Sequence, residues 1–255
     1  MRATVLGSVL PVLEFDLDRG ETIVAATGEL SWMTAGIELR TTTQAAGSSG
    51  LFGAIGRAMS GGGLFMTEYS APSMPGQVAF AAKIPGHIVE VAQGGFTARG
   101  GYLVHKHGFL CATPGVTLGT GIQQSLGAGL FGGNGFLMQR ITGSGRAWVE
   151  LGGEVIERTL APGEVLRVHP GHVGMFEDTV GFGITRLRGI RNMFFGGDGL
   201  FLAELAGPGR IWLQTLTLPN LAHALAPYLE GGSGPVETAG AIGGAGALLR
   251  TFLKE

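Results

Sequence analysis

The sequence predicts an all-β single domain built from three pseudo-equivalent units. Three observations carry that reading: a glycine-rich, charge-poor composition, short apolar stretches that alternate with period two, and an internal repeat that preserves two spacings. Of 255 residues, 48 are Gly, and charged residues make up 14%, where globular chains average about 7% and 25%. A hydrophobic fraction of 45% at net charge −2 excludes the regime in which a chain cannot bury enough apolar surface to fold. The glycines lack the three-residue period of collagen. With 17 basic against 19 acidic residues, no bulk positive field calls for nucleic acid.

The apolar stretch from Met1 to Leu13 runs directly into Glu14 and Asp16 without a small-residue cleavage site, so it reads as a first strand and not as a signal peptide. No run of about 18 uncharged apolar residues occurs, which predicts no bilayer-spanning helix. The expected location is cytoplasmic or peripheral to a membrane. The single cysteine, Cys111, sits between Leu110 and Ala112 and reads as a small buried apolar residue.

Three segments align on glycine without gaps: Gly28-Glu29-Leu30-Ser31-Trp32, Gly100-Gly101-Tyr102-Leu103-Val104 and Gly163-Glu164-Val165-Leu166-Arg167, each followed eight residues on by Gly36, Gly108 or Gly171. A second block starts at Gly63, Gly135 and Gly199, and lies 35, 35 and 36 residues after the first. Past it, Gly143-Ser144-Gly145-Arg146-Ala147-Trp148-Val149 parallels Gly207-Pro208-Gly209-Arg210-Ile211-Trp212-Leu213, and the first copy carries Met74-Pro75-Gly76-Gln77-Val78. Gly-X-Gly precedes a strand here and does not open a helix, so its glycines supply positive φ at turns, not a phosphate cradle. The units run over about 10–90, 91–155 and 156–218. With no polar linker between them they should pack as one domain over 1–218 with pseudo-threefold symmetry, because a unit of about 65 residues scarcely buries its own apolar face.

Two pieces depart from β. Leu51, Phe52, Ile55 and Met59 recur at helical spacing and predict a short amphipathic helix over 51–59. Pro219 followed by Leu221, Leu225 and Leu229 predicts a second helix over 219–230. Residues 231–255 read as a flexible Gly/Ala-rich tail with a short terminal helix.

Residues able to carry chemistry are few. His105-Lys106-His107 puts two imidazoles on one face of a strand, and His169-Pro170-Gly171-His172 offers two more, the residue type that ligates metals. The cupin pattern would need a Glu a few residues on, yet Gly108-Phe109-Leu110-Cys111-Ala112 follows. The acidic residues between 139 and 190 read mostly as exposed turn or strand-face charges, and Gly-X-Ser-X-Gly is absent. No catalytic constellation and no cofactor motif emerges. Arg186, Arg188 and Arg191 form the densest basic cluster and could face an anionic patch on a partner, while Leu51, Phe52 and Ile55 could meet a partner or a membrane surface. A chain this poor in charge should hide sheet edges by self-association.

The run Leu10-Pro11-Val12-Leu13-Glu14-Phe15-Asp16-Leu17-Asp18-Arg19-Gly20-Glu21, then Gly28-Glu29-Leu30-Ser31-Trp32-Met33, resembles the opening of the altered inheritance of mitochondria protein 24 family. Gly50 to Arg57 resembles that family's glycine-rich connection, Pro85-Gly86-His87-Ile88 and Pro170-Gly171-His172-Val173 its turns, and Gly207 to Thr215 its closing block. Gly61-Gly62-Gly63 departs from the polar Gly-Glu-Ser type sequence of many members. The resemblance implies a β sandwich or roll similar to the tryptophan RNA-binding attenuator protein, with no established catalytic residues, and relatives associated with inner-membrane organisation. None of the attenuator protein's RNA-reading Lys and Arg positions maps onto this chain. Taken together, these readings predict a non-enzymatic scaffold or interaction protein in a membrane-associated, envelope or stress-related assembly; the alternative is a metal- or small-ligand-binding β protein using His105, His107, His169 or His172.

Overall fold

The computed structural model describes residues 1–42, 66–91, 100–124, 136–187 and 200–228. The predicted helix at 51–59, Arg188, Arg191 and the tail beyond 228 lie outside these residues. The described chain is nearly all β. The apolar N-terminal stretch forms two strands, not one: β1 (Arg2–Leu6) turns at Gly7, whose φ is +82°, and pairs antiparallel with β2 (Val12–Leu17). β2 then opens a set of six with β3 (Thr22–Ala26), β4 (Leu30–Met33), β5 (Glu38–Thr42), β6 (Met66–Ser70) and β7 (Gly76–Ala81). A second set comprises β8 (Gly86–Val91), β9 (Tyr102–His105), β10 (Phe109–Ala112), β11 (Val116–Gln124), β12 (Phe136–Gly143) and β13 (Ala147–Gly152). The third comprises β14 (Val155–Leu160), β15 (Val165–Val168), β16 (Val173–Glu177), β17 (Gly181–Leu187), β18 (Leu200–Ala206) and β19 (Gly209–Gln214).

Pairing follows one rule in all three sets. The first strand pairs with the sixth, the sixth with the third, the second with the fifth and the fifth with the fourth. The third strand of a set also pairs with the second strand of the set before it, β10 with β3 and β16 with β9. The result is four sheets: A (β1-β2-β7-β4), B (β5-β6-β3-β10-β13-β8), C (β11-β12-β9-β16-β19-β14) and D (β15-β18-β17). A register shift recurs at the same place in each set, between Leu30 and Trp32, Phe109 and Cys111, and Val173 and Met175. Such a bulge turns the strand and steepens its twist.

This register corrects one part of the sequence alignment. The blocks beginning at Gly135 and Gly199 lead into equivalent strands, β12 and β18. The block at Gly28 leads into β4, a third strand, whereas those at Gly100 and Gly163 lead into the second strands β9 and β15. Glycines at hairpins look alike wherever they fall, so their spacing located strands without ordering them.

The sheets stack face on face with a core in each gap. Leu13, Phe15, Val78 and Phe80 of sheet A meet Ile23, Tyr69, Cys111 and Trp148 of sheet B, with the Phe15 and Trp148 rings edge to face at 4.8 Å. The other face of B, with Val24, Ala112, Val149 and Leu151, meets Val104, Ile141, Met175 and Trp212 of sheet C. The far face of C meets Val168, Ala203 and Leu205 of sheet D. The predicted alternation in β13 therefore gives way to a strand buried on both faces. The same pairing repeated in each set bears out three equivalent units, and the succession of sheets leaves A and D at its ends.

After β19, Thr217 caps α1 (Leu218–Leu225) by accepting a hydrogen bond from the Asn220 N–H, and a 3-10 turn follows over Ala226–Tyr228. Among the described residues no helix is long and apolar enough to cross a membrane.

Candidate functional site

A cavity of about 460 Å³ opens where the second and third sets meet, lined by Phe136, Leu137, Val173 and Leu216, roofed by Leu218 and Pro219 of α1, and bordered by His105, Lys106 and His107. Its size lies within the usual range for small-ligand sites, and its walls are mainly apolar. His105 closes β9 and its Nε2 lies 3.1 Å from the Glu150 carbonyl oxygen; that geometry assigns the proton to Nε2. Burial lowers its pKa to about 4, so the ring is neutral at physiological pH. His107 stands exposed in the following turn, not on the face of β9, because the strand ends at His105. Partial desolvation of its ring by the surrounding chain, then the Lys106 and Lys83 charges, lower its pKa although the residue as a whole is exposed.

His169 precedes and His172 ends a 3-10 turn over Pro170–His172, with ring centroids 5.8 Å apart. His172 Nδ1 lies 2.8 Å from the Gln214 carbonyl oxygen. The Gln214 amide also donates to the Gly171 carbonyl and accepts from Gly152 N–H, which ties the turn to β13 and β19. His169 Nδ1 is buried without a partner among the described residues, and burial lowers the pKa of that ring. Two of the four histidines thus spend a ring nitrogen on a backbone carbonyl. Among the described residues, no group of three or more His, Cys, Asp or Glu side chains is placed to hold a metal ion. Arg186 lies in β17.

A second polar cluster escaped sequence reasoning. Glu29 and Glu150 are only 5% and 6% exposed. Glu150 accepts hydrogen bonds from the backbone N–H groups of Lys83 and Ile84 at 2.9 and 3.1 Å, and Lys83 Nζ bonds Glu29. Burial raises both carboxyl pKa values, against the opposing pull of Lys83 on Glu29 and of those N–H groups on Glu150. Both carboxylates pin the connection between the first and second sets. The only signal available was an acidic residue inside an apolar run, Val149-Glu150-Leu151. Cys111 is fully buried and its thiol pKa is raised well above the usual value, mainly by burial and then by Glu29, so it is not poised as a nucleophile.

In units two and three an arginine covers an indole beside an acidic partner. Arg146 lies over Trp148 and makes two 2.8 Å bonds to Glu90. Arg210 lies over Trp212 and bonds Glu177 at 2.7 Å, while Trp212 Nε1 donates to Glu157. These pairs close the edges of the inter-sheet cores. In unit one the equivalent of Trp148 is Ala79, and Trp32 from β4 stands nearby, its Nε1 donating to Glu14 at 3.3 Å.

Fold and site together define an all-β repeat protein with an apolar cavity and, among the described residues, an unpaired strand edge at each end of its sheet stack. The chain belongs to the family described as Mitochondrial biogenesis AIM24, whose model matches residues 3–216. It is 30% identical over 234 residues to an uncharacterised protein of Streptococcus pyogenes serotype M6, an alignment covering 90% of this chain and 91% of that one. A crystal structure of a Streptococcus pyogenes protein superposes with a TM-score of 0.67 at 25% identity, covering 89% of this chain and 99% of that chain.

Proposed function

We propose that this chain is a non-enzymatic scaffold or interaction protein that self-associates and holds a protein partner within a membrane-associated, envelope or stress-related assembly. One observation carries the reading: the third strand of the first set, β4, has no strand partner on its outer side among the described residues, and its Trp32 and Met33 are 46% and 37% exposed. Exposed apolar side chains on an open strand edge mark a surface built to be covered. The titratable groups described above act instead as ties between backbone segments. The placement beside a membrane or envelope draws on the family resemblance and on the apolar spacing at 51–59.

A second reading, metal or small-ligand binding through the histidines, is favoured by the cavity and by the unpartnered His169 Nδ1. Native mass spectrometry of the protein purified gently from its own host separates the two. The scaffold reading expects a metal-free homo-oligomer; a monomer carrying a stoichiometric metal or small molecule refutes it.

A further inference from the structure

We propose that copies of this chain join head to tail, the free edge of β15 in one copy pairing antiparallel with the free edge of β4 in the next. This rests on the interaction reading above and names the partner as a second copy. The warrant is the pairing rule. Each junction inside the chain joins the second strand of one set to the third strand of the next, β3 to β10 and β9 to β16. Three sets supply three of each strand, so two junctions leave one third strand, β4, and one second strand, β15, without that partner among the described residues. The leftover edges are complementary by construction.

The shared bulge fixes the register. Pairing with the sixth strand makes Trp32 equivalent to Cys111 and Met175, and Met33 to Ala112 and Phe176. On the other side of the junction, Cys111 faces Ala25 and Met175 faces Val104, while Ala112 faces Val24 and Phe176 faces Leu103. The fifth-strand partners Thr67, Gln139 and Ala203 make Val168 the equivalent of Ala25 and Val104, and Arg167 that of Val24 and Leu103. A third junction therefore sets Trp32 opposite Val168 and Met33 opposite Arg167. In the junctions already made, Cys111, Ala112, Met175 and Phe176 are at most 1% exposed; Trp32 and Met33 are the same positions left open. Arg167 does not block the approach, since its guanidinium is held by Glu204 across β18 at 2.8 Å.

One chain cannot close this junction on itself. Sheets A and D are the ends of a stack with three intervening gaps, and each gap is about 10 Å. Joining D to A of the next copy produces the order β17-β18-β15-β4-β7-β2-β1, which is the order of sheets B and C with β1 added. It also lays the outer face of A, carrying Glu14 and Asp16, toward the open end of C, where Ile156 and Arg158 are exposed on β14.

The test uses two single variants of the full chain, Met33→Cys and Arg167→Cys, mixed and oxidised. Directly opposed residues in an antiparallel pair have Cα separations within disulfide range, and the buried Cys111 thiol stays out of the reaction. The mixture should give a disulfide-linked dimer, each variant alone should give at least tenfold less, and the Met33→Cys/Arg167→Cys double variant should give a ladder on non-reducing gels. Met33→Lys, which opposes Arg167 with like charge, should weaken association at least tenfold while leaving the monomer's thermal midpoint unchanged. An internally cross-linked monomer from the double variant overturns the proposal. So does a mixture without cross-link; if native mass spectrometry still finds metal-free oligomers, the scaffold reading survives and only this edge fails.

Discussion

Lowering the pH from 7.5 to 5 should cost the protein about 2 kcal/mol of stability through His105 alone. A free imidazole titrates near 6.5, and in the folded chain burial lowers His105 to about 4. The depressed value belongs to a base, so the unfolded chain takes up the proton first. Stability is therefore intact above pH 6.5 and falls as the pH drops toward 4. At pH 5 the unfolded imidazole is almost fully protonated and the folded one about one-tenth, a ratio near thirty, or about 2 kcal/mol. His105→Gln keeps an N–H donor for the Glu150 carbonyl and removes the titration. Urea midpoints of both proteins at pH 7.5 and 5 measure the difference: wild type should lose about 2 kcal/mol more than the variant. Equal losses would show that His105 is not held neutral by its surroundings, and the reasoning about the cavity wall would fall with it.

Three further perturbations probe the packing. Glu150→Leu strands the backbone N–H groups of Lys83 and Ile84 and should destabilise by about 2–5 kcal/mol, whereas Glu150→Gln keeps an acceptor and should cost less than half as much; chemical denaturation ranks them, and the reverse order would refute the tie. Gly86→Ala would place a Cβ 2.1 Å from the Leu151 carbonyl oxygen, where β8 and β13 pair Gly86 with Gly152. It should lower the thermal midpoint by several degrees, at about 1–3 kcal/mol, and an unchanged midpoint would contradict that register. The Cys111 thiol should resist an aromatic disulfide reagent in the native state and react fully in denaturant; prompt native reaction would mean that sheets A and B open readily.

The sequence by itself determined that the chain is β, that it repeats, and that a closing helix opens near Pro219. Strand alternation and turn glycines are local properties, readable within a window of ten residues. The correspondence of Gly135 with Gly199 was legible for the same reason, since Gly143-Ser144-Gly145-Arg146 and Gly207-Pro208-Gly209-Arg210 follow at matching distances. Which strand lies beside which is not local. β10 pairs with β3 and β13, partners far apart in sequence, which sets Cys111 between Ala25 and Trp148; the pairing of β4 with β7 makes the Gly28 block lead into a third strand, and Glu150 is buried against the Lys83–Ile84 backbone. The histidines show the same division. His105 and His107 are two residues apart, which suggests one strand face; the strand stops at His105, so one ring is held by a carbonyl and the other stands in a turn. The open edges of β4 and β15 could not be seen in either segment alone. An edge is the absence of a neighbour, and only the assembled order of the sheets reveals which strand has none.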